Sequence, residues 1–314
     1  MKKFSFDFYN TTNLKAYNLN DTMRYQLAIL DRMDPITKKH SENVANLVCR
    51  ICEYKGFNWQ ATIHATMNAY LHDVGKLAIP HEILNKPAAL TDEEYTVMKT
   101  HTTKGYEICM KDISLRPYAN GALYHHESLN GTGYPNGVTK KDIPYVAQIV
   151  RVADEYDAIT SKRQYTTHIN ISETLKLLIK DTKPEAHLKS VALDQLKTNE
   201  KLGKIDARIL KVLFKVVIDD IIYEIASIDE YMKYLKSEIK RLETANKYFI
   251  KMENSKKDKD KEYFYEGFKL MLSPGENIDN FKNVLNEYCI ALKNKEDDTA
   301  KLYEEIKIIK KLKV

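Results

Sequence analysis

The sequence predicts an all-α protein, on three observations. Only 10 of its 314 residues are Gly and 8 are Pro, too few for a loop-rich β architecture. Long stretches rich in Lys, Glu, Leu and Ile favour helices. Apolar residues recur at helical spacing, and the half that carries most of the histidines shows no convincing strand alternation.

The elements follow in order. Residues 1–21 are polar and aromatic and read as a lead-in segment. Asp21 is placed to N-cap a helix through Met33. Pro35 suits the start of the next helix, where its missing N–H costs little, and His40, Val44, Leu47, Val48 and Ile51 form its stripe. Asn58 caps a helix through Met67 and Tyr70 into His72. Thr91 and Glu94 make a capping box for a helix carrying Met98, His101, Gly105 and Ile108. Another helix ends at Tyr124, His125 and His126, a Gly-rich loop follows, and a helix then runs from about Pro144 to Ser161. Further helices begin near Gly203, with a Lys/Asp-rich joint at residues 252–262 and a turn at Pro274-Gly275. Leu302, Ile306, Ile309 and Leu312 stripe the last helix.

Composition narrows the function classes. The net charge of +5 comes from 49 basic and 44 acidic residues, interspersed over most of the chain, so neither DNA nor membrane binding is expected. Four scattered cysteines do not make a disulfide framework, and Cys49 and Cys52, inside a helical pattern, read as buried core thiols. No signal peptide and no apolar run of about 18 residues is evident, so the expected compartment is the cytoplasm.

Seven polar residues sit in or at the ends of apolar helices: His40, His72, Asp73, His101, His125, His126 and Asp154. A single buried His is usually bonded to a backbone carbonyl. Seven together would each cost a few kcal/mol if uncompensated, and divalent metal ions satisfy such a set at once. Imidazole with carboxylate suits iron, manganese, zinc or nickel better than magnesium or calcium. In a helix, His72 and Asp73 would point about 100° apart, and a carboxylate has two oxygens with which to bridge two metals. Paired metals are a recurrent solution for phosphodiester hydrolysis. Lys76 follows on a similar face and reads as a phosphate clamp. Gly131, Gly133 and Gly137 permit unusual backbone angles in the loop, with Tyr134 at its tip.

Three motifs carry a family resemblance: His72-Asp73-Val74-Gly75-Lys76 with Ile79-Pro80; His125-His126-Glu127 running into residues 130–137; and Val152-Ala153-Asp154-Glu155-Tyr156-Asp157-Ala158-Ile159-Thr160. In this order, over about residues 22–220, they resemble the HD-GYP family of cyclic di-GMP phosphodiesterases, within the HD superfamily. The resemblance implies an HD-domain helical bundle at residues 22–221, with additional C-terminal helices at 222–314 for dimerisation or regulation. It implies two divalent metal ions, iron or manganese, with Asp73 between them. His40, His72 and Asp154 complete one site, and His101, His125 and His126 the other. A hydroxide activated by the two metals would convert cyclic di-GMP to linear pGpG, with a second cut to GMP left open. Catalytic roles fall on Asp73 and Lys76, and substrate contacts on Lys76, Gly133, Tyr134 and Arg163. In the family the glycine loop is linked to diguanylate cyclase domains, a partner class expected beside the cyclic dinucleotide substrate and a homodimer.

The sequence also departs from the family. Ile36 stands where three-metal members carry glutamate, which favours two metals. Arg163-Gln164-Tyr165-Thr166 lacks a basic residue at its last position, and Asn130 replaces a common aspartate. An insertion spans about residues 184–202 before Ile205-Asp206. His64, His81, His168 and His187 match no ligand position. Two other readings remain: an HD-type phosphohydrolase for another cyclic dinucleotide or nucleotide, and a non-catalytic sensor or interaction module.

Overall fold

The structure, a computed structural model, describes residues 28–163 (161–163 as backbone only), 171–184 and 202–314. Among these residues there is no strand, only an isolated antiparallel bridge between Asn130 and Thr139, so the all-α expectation holds. None of the described helices is long and apolar enough to cross a membrane.

Of the helix expected from Asp21, only the end lies among the described residues, and Ala28–Arg32 is a 3-10 turn. Helix α1, Pro35–Tyr54, opens as the sequence indicates: Pro35 is in its first turn, and the Asp34 carboxylate accepts from Thr37 N at 2.9 Å. Helix α2, Trp59–Tyr70, is capped by Asn58 Oδ1, which accepts from Ala61 N at 2.8 Å. It stops before His72, which therefore lies in the turn leading to the 3-10 segment Val74–Ala78.

After the short α3, His81–Leu84, the capping box at Thr91 and Glu94 starts α4, Asp92–Lys99. The single helix expected here is two. The chain breaks at Thr100 and continues as α5, His101–Lys111. At the break, His101 Nδ1 donates to Met98 O at 2.7 Å, a side-chain bond to one of the last carbonyls of α4.

Helices α6, Ala119–Tyr124, α7, Tyr145–Arg163, and α8, Ile171–Asp181, follow. Helix α1 packs on α2 and α7, and α5 packs on α6 and the 74–78 segment. Val44, Val48, Ile51, Leu71, Ile149, Val152 and Leu213 are fully buried, and Cys49, Cys52 and Cys109 are buried free thiols. Arg50 donates to Val216 O at 3.0 Å within this core.

The chain forms two compact units, one of residues 1–218 with 309–314 and one of residues 219–308. Helix α9, Ala207–Asn254, begins in the first, and its later residues belong to the second. In the second unit, α9 is followed by α10, Asp258–Lys269, and by most of α11, Phe281–Lys311. Leu242, Ala245, Phe268 and Phe281 form its core, and Arg241 bonds both Glu238 and Glu276 at 2.7 Å. The helix break at residues 255–257 lies within the charged joint, and Gly275 adopts φ +91° in the expected turn.

Candidate metal centre

Three histidines of the first unit are oriented by one device at the end of a helix. The last carbonyls of a helix lack ladder partners. At the end of α2, His72 Nδ1 donates to Ala69 O at 2.6 Å. At the end of α4, His101 Nδ1 donates to Met98 O. At the end of α6, His125 Nδ1 lies 2.9 Å from Ala122 O and 3.0 Å from Gly121 O. Carbonyls only accept, so each Nδ1 carries the proton and each Nε2 is left with a lone pair.

Close backbone approach brings these ends together. A Cβ on Gly75 would stand 1.8 Å from His101 O, so only glycine lets the Asp73 turn lie against the start of α5. The two carboxylate oxygens of Asp73 then face different histidines. Its Oδ2 is 3.3 Å from His72 Nε2 and 3.7 Å from His40 Nε2; its Oδ1 is 3.5 Å from His101 Nε2 and 3.9 Å from His125 Nε2. His40, from α1, reaches Asp154 Oδ1 through Nε2 at 3.0 Å and Asp157 Oδ2 through Nδ1 at 2.7 Å.

The donor set fits a divalent cation. His72 Nε2 is buried with no hydrogen-bond partner. His101 Nε2 and His125 Nε2 face each other at 3.2 Å, and with both Nδ1 protons spent on carbonyls this sets two lone pairs together. Such contacts are unfavourable unless a cation lies among them. Three groups each place one ligand atom per residue within 4.8 Å of the others: His101, His125 and His126; His40, His72 and Asp73; and His72, His125 and Asp154.

Charge follows from burial and neighbours. Burial keeps His101 and His125 neutral by lowering their pKa values, and takes His126 down to about 3. Burial opposes the charges on Asp73 and Asp154, but neighbouring cations and imidazoles outweigh it and hold both carboxyls below their usual range; Lys76 and His72 act on Asp73, and His40 on Asp154. Burial likewise opposes the charge on His40, yet hydrogen bonds to Asp154 and Asp157 lift its pKa to about 10. Lys76 Nζ donates to Asp73 Oδ2 at 2.6 Å, and this pairing raises its pKa against the cost of burial.

All seven sequence-derived ligand candidates thus converge. Four of them, His40, Asp73, His126 and Asp154, line a cavity of about 400 Å³ together with Ile36, Lys76 and Glu155, among others. Tyr134 stacks on His126 with ring centroids 4.6 Å apart. Gly133 lies against the backbone of residues 126–128, where a Cβ would meet Ser128 N at 2.3 Å, so packing alone requires glycine there. Arg163 ends α7 in backbone, and its side chain lies outside the described residues, as do residues 164–166, His168 and His187. His64 bonds Pro117 O at 2.9 Å and His81 is exposed, both away from the cluster.

Sequence reasoning gave no role to two residues that the structure makes structural to the site. Asp157 holds His40 Nδ1, and its signal was available: it lies one helical turn beyond Asp154 on the same apolar helix. Glu127 is buried under the glycine loop, its Oε1 accepting from Asn136 N at 2.7 Å and its Oε2 from Val138 N at 3.1 Å. Nothing in the local pattern marks that contact, which spans nine and eleven residues.

Fold and site together define an all-α protein whose first unit gathers a histidine–carboxylate cluster suited to divalent metal ions. The HD domain family model matches residues 24–186, and the chain belongs to that family. It is 41% identical over 145 residues to a cyclic di-GMP phosphodiesterase of Thermotoga maritima, covering 46% of this chain and 39% of that protein. It is 36% identical over 147 residues to the cyclic di-GMP phosphodiesterase response regulator RpfG of Xanthomonas campestris, covering 46% and 39%. It is also 33% identical over 150 residues to 3'3'-cGAMP-specific phosphodiesterase 3 of Vibrio cholerae, covering 48% and 33%. The chain therefore spans well under half the length of each of these relatives.

Proposed function

We propose that this chain hydrolyses a phosphodiester bond of a cyclic dinucleotide, with cyclic di-GMP as the first substrate and linear pGpG as the first product. One observation carries the reading: Asp73 turns one oxygen to His40 and His72 and the other to His101 and His125. That is the arrangement of a carboxylate shared between two cation sites, with Asp154 completing the first and His126 the second. Two divalent ions, iron or manganese by donor type, would supply Lewis acidity toward a phosphoryl oxygen and a lowered pKa for water.

The protein's own groups prepare that chemistry. The backbone carbonyls fix three imidazoles as Nδ1–H tautomers, so no proton need leave Nε2 when a cation binds. Lys76 stays protonated beside Asp73 and lines the cavity, where its ammonium stabilises charge gathering on the phosphoryl group. Tyr134, braced on His126, and Arg163 at the end of α7 handle the nucleotide. The wall at Ile36 offers no carboxylate, which favours two ions over three.

The likeness to both cyclic di-GMP and 3'3'-cGAMP phosphodiesterases sets the test. Anaerobically purified protein, analysed for metal, is incubated with cyclic di-GMP and with cyclic GMP-AMP, and products are separated. Release of pGpG from cyclic di-GMP is expected. Fully metallated protein that leaves both dinucleotides intact would overturn the reading.

A further inference from the structure

A cavity larger than the one at the histidines lies elsewhere in the first unit. It measures about 820 Å³, and its lining includes Lys140, Lys141, Tyr145, Gln148, Leu202 and Arg208. Its size falls within the range of small-molecule sites. Among the described residues the lining holds three cations and no carboxylate. Asp206, buried beside it, binds two of the cations: Lys140 Nζ at 3.2 Å, and Arg208 through both Nε at 3.2 Å and a terminal nitrogen at 2.8 Å. With Asp206 on two of the three cations and the Asp142 carboxylate 3.4 Å from Thr139 Oγ1 at the rim, cations still outnumber carboxylates among the described residues, and Asp206 fixes where two of those charges stand.

The framework is built rather than loose. Lys140 N donates to Leu129 O at 3.1 Å, and Asp142 N and Ile143 N both donate to Thr139 O, so the turn bearing Lys140 and Lys141 is tied at both ends. Leu202 packs on the buried cluster of Leu129, Ile143 and Ala147, giving an apolar wall. Tyr145, at the start of α7, is 37% exposed and offers a ring to the cavity.

Gln148 adds a second, independent sign of a ligand. The residue is only 8% exposed, and its Nε2 donates to Ile143 O at 2.9 Å and Lys140 O at 3.4 Å. Two carbonyls on one side fix the amide orientation, because the opposite one would set oxygen against oxygen. Its Oε1 is buried and has no hydrogen-bond partner among the described residues. An unpaired buried acceptor is costly and calls for a donor.

Cations for phosphate, an aromatic ring for stacking and an unpaired acceptor for a base N–H belong to one ligand class. We propose that this cavity is a second, non-catalytic site that binds a nucleoside polyphosphate, with the phosphates at Lys140, Lys141 and Arg208 and the base between Tyr145 and Gln148. The site shares no lining residue with the histidine cavity, so it stands or falls apart from the hydrolytic reading.

The test is calorimetric titration of the whole chain with ATP, GTP and inorganic triphosphate, repeated with saturating cyclic di-GMP. Lys141→Glu reverses an exposed charge on the turn and should not disturb folding, and Tyr145→Ala removes the ring. At least one nucleotide is expected to bind one site per chain at or below about 1 mM, with cyclic di-GMP leaving it in place. Lys141→Glu should weaken it at least about tenfold while metal content is unchanged. Tyr145→Ala should weaken the nucleotide and leave inorganic triphosphate alone. The proposal is overturned if neither nucleotide binds, if cyclic di-GMP displaces it, if Lys141→Glu has no effect, or if inorganic triphosphate binds as tightly as the nucleotide.

Discussion

Replacing Glu127 by Gln tests how the glycine loop is held over the metal centre. The buried carboxylate accepts from Asn136 N at 2.7 Å and from Val138 N at 3.1 Å, one oxygen to each. Hydrogen bonds to a charged group contribute roughly 1.5–3 kcal/mol each. Gln keeps one accepting oxygen and turns an NH₂ toward the second backbone N–H, so one bond is lost and two donors face each other. The expected cost is about 2 kcal/mol against the closed loop. Tyr134 lies in that loop and stacks on His126, so the cost falls on substrate handling. A loss of kcat/KM of up to about thirtyfold follows, carried mainly by KM, with the metals retained. Steady-state kinetics with cyclic di-GMP, metal analysis and urea unfolding read the three effects separately. In combination with Tyr134→Ala, which should itself keep the metals, Glu127→Gln should add little, because both act through one contact. Wild-type kinetics and stability in Glu127→Gln would refute the reasoning, and loss of metal would place Glu127 in the metal centre instead.

Other outcomes follow from the same geometry. Anaerobically purified protein should hold about two iron or manganese ions per chain, and a reproducible three, or none, would contradict a two-ion centre. Asp73→Ala should abolish activity and most metal binding; turnover at the wild-type level would remove Asp73 from the mechanism. Asp157→Asn should lower metal affinity about 10–100-fold through loss of the negative charge at the His40 Nδ1 contact of 2.7 Å, read by competition with a chelator. In chelated protein His40 is protonated up to a pKa of about 10, raised from 6.5. Its ion pairs therefore support the chelated fold fully below pH 6.5 and fade as pH rises through about 10. Metal must displace that proton, so affinity should climb with pH across this window, and titrations in buffers of different ionisation heat should show proton release at pH 7. Buffer-independent heats would contradict the assignment.

Much of the site was legible because its residues are chemically conspicuous where they stand. A His-Asp pair, a His-His pair and a lone Asp on apolar helices have few other uses, and all seven candidates converge. The caps at Asn58 and Thr91 were equally legible, since each rests on a bond across three residues; the cap at Asp34 emerged only from the structure. What periodicity missed was where the helices end. The apolar pattern runs through Thr100 and through Leu71 without interruption, yet imidazoles at His101 and His72 draw carbonyls out of the ladder at those points. The cavity at Lys140 and Arg208 was invisible for a different reason. Its cations are separated by an insertion and meet only through Asp206, a contact across 66 residues in the case of Lys140.

The helix breaks and the metal chemistry are one design. A helix that continued through His101 would keep Met98 O in the ladder and leave the imidazole free to choose its tautomer. Ending the helix frees the carbonyl, the carbonyl takes the Nδ1 proton, and Nε2 is delivered as a lone pair without a separate residue to hold it. The same step at His72 and His125 uses the ends of α2 and α6. Helix C-termini carry partial negative charge, so three of them at one site also favour a cation there before any side chain is counted. His40 is the exception. It lies inside α1, where no carbonyl is free, and Asp157 from α7 takes the carbonyl's place. This explains why the one histidine ligand drawn from a helix interior is the one that needs an extra carboxylate, and why Asp157→Asn should act on the metal centre through His40.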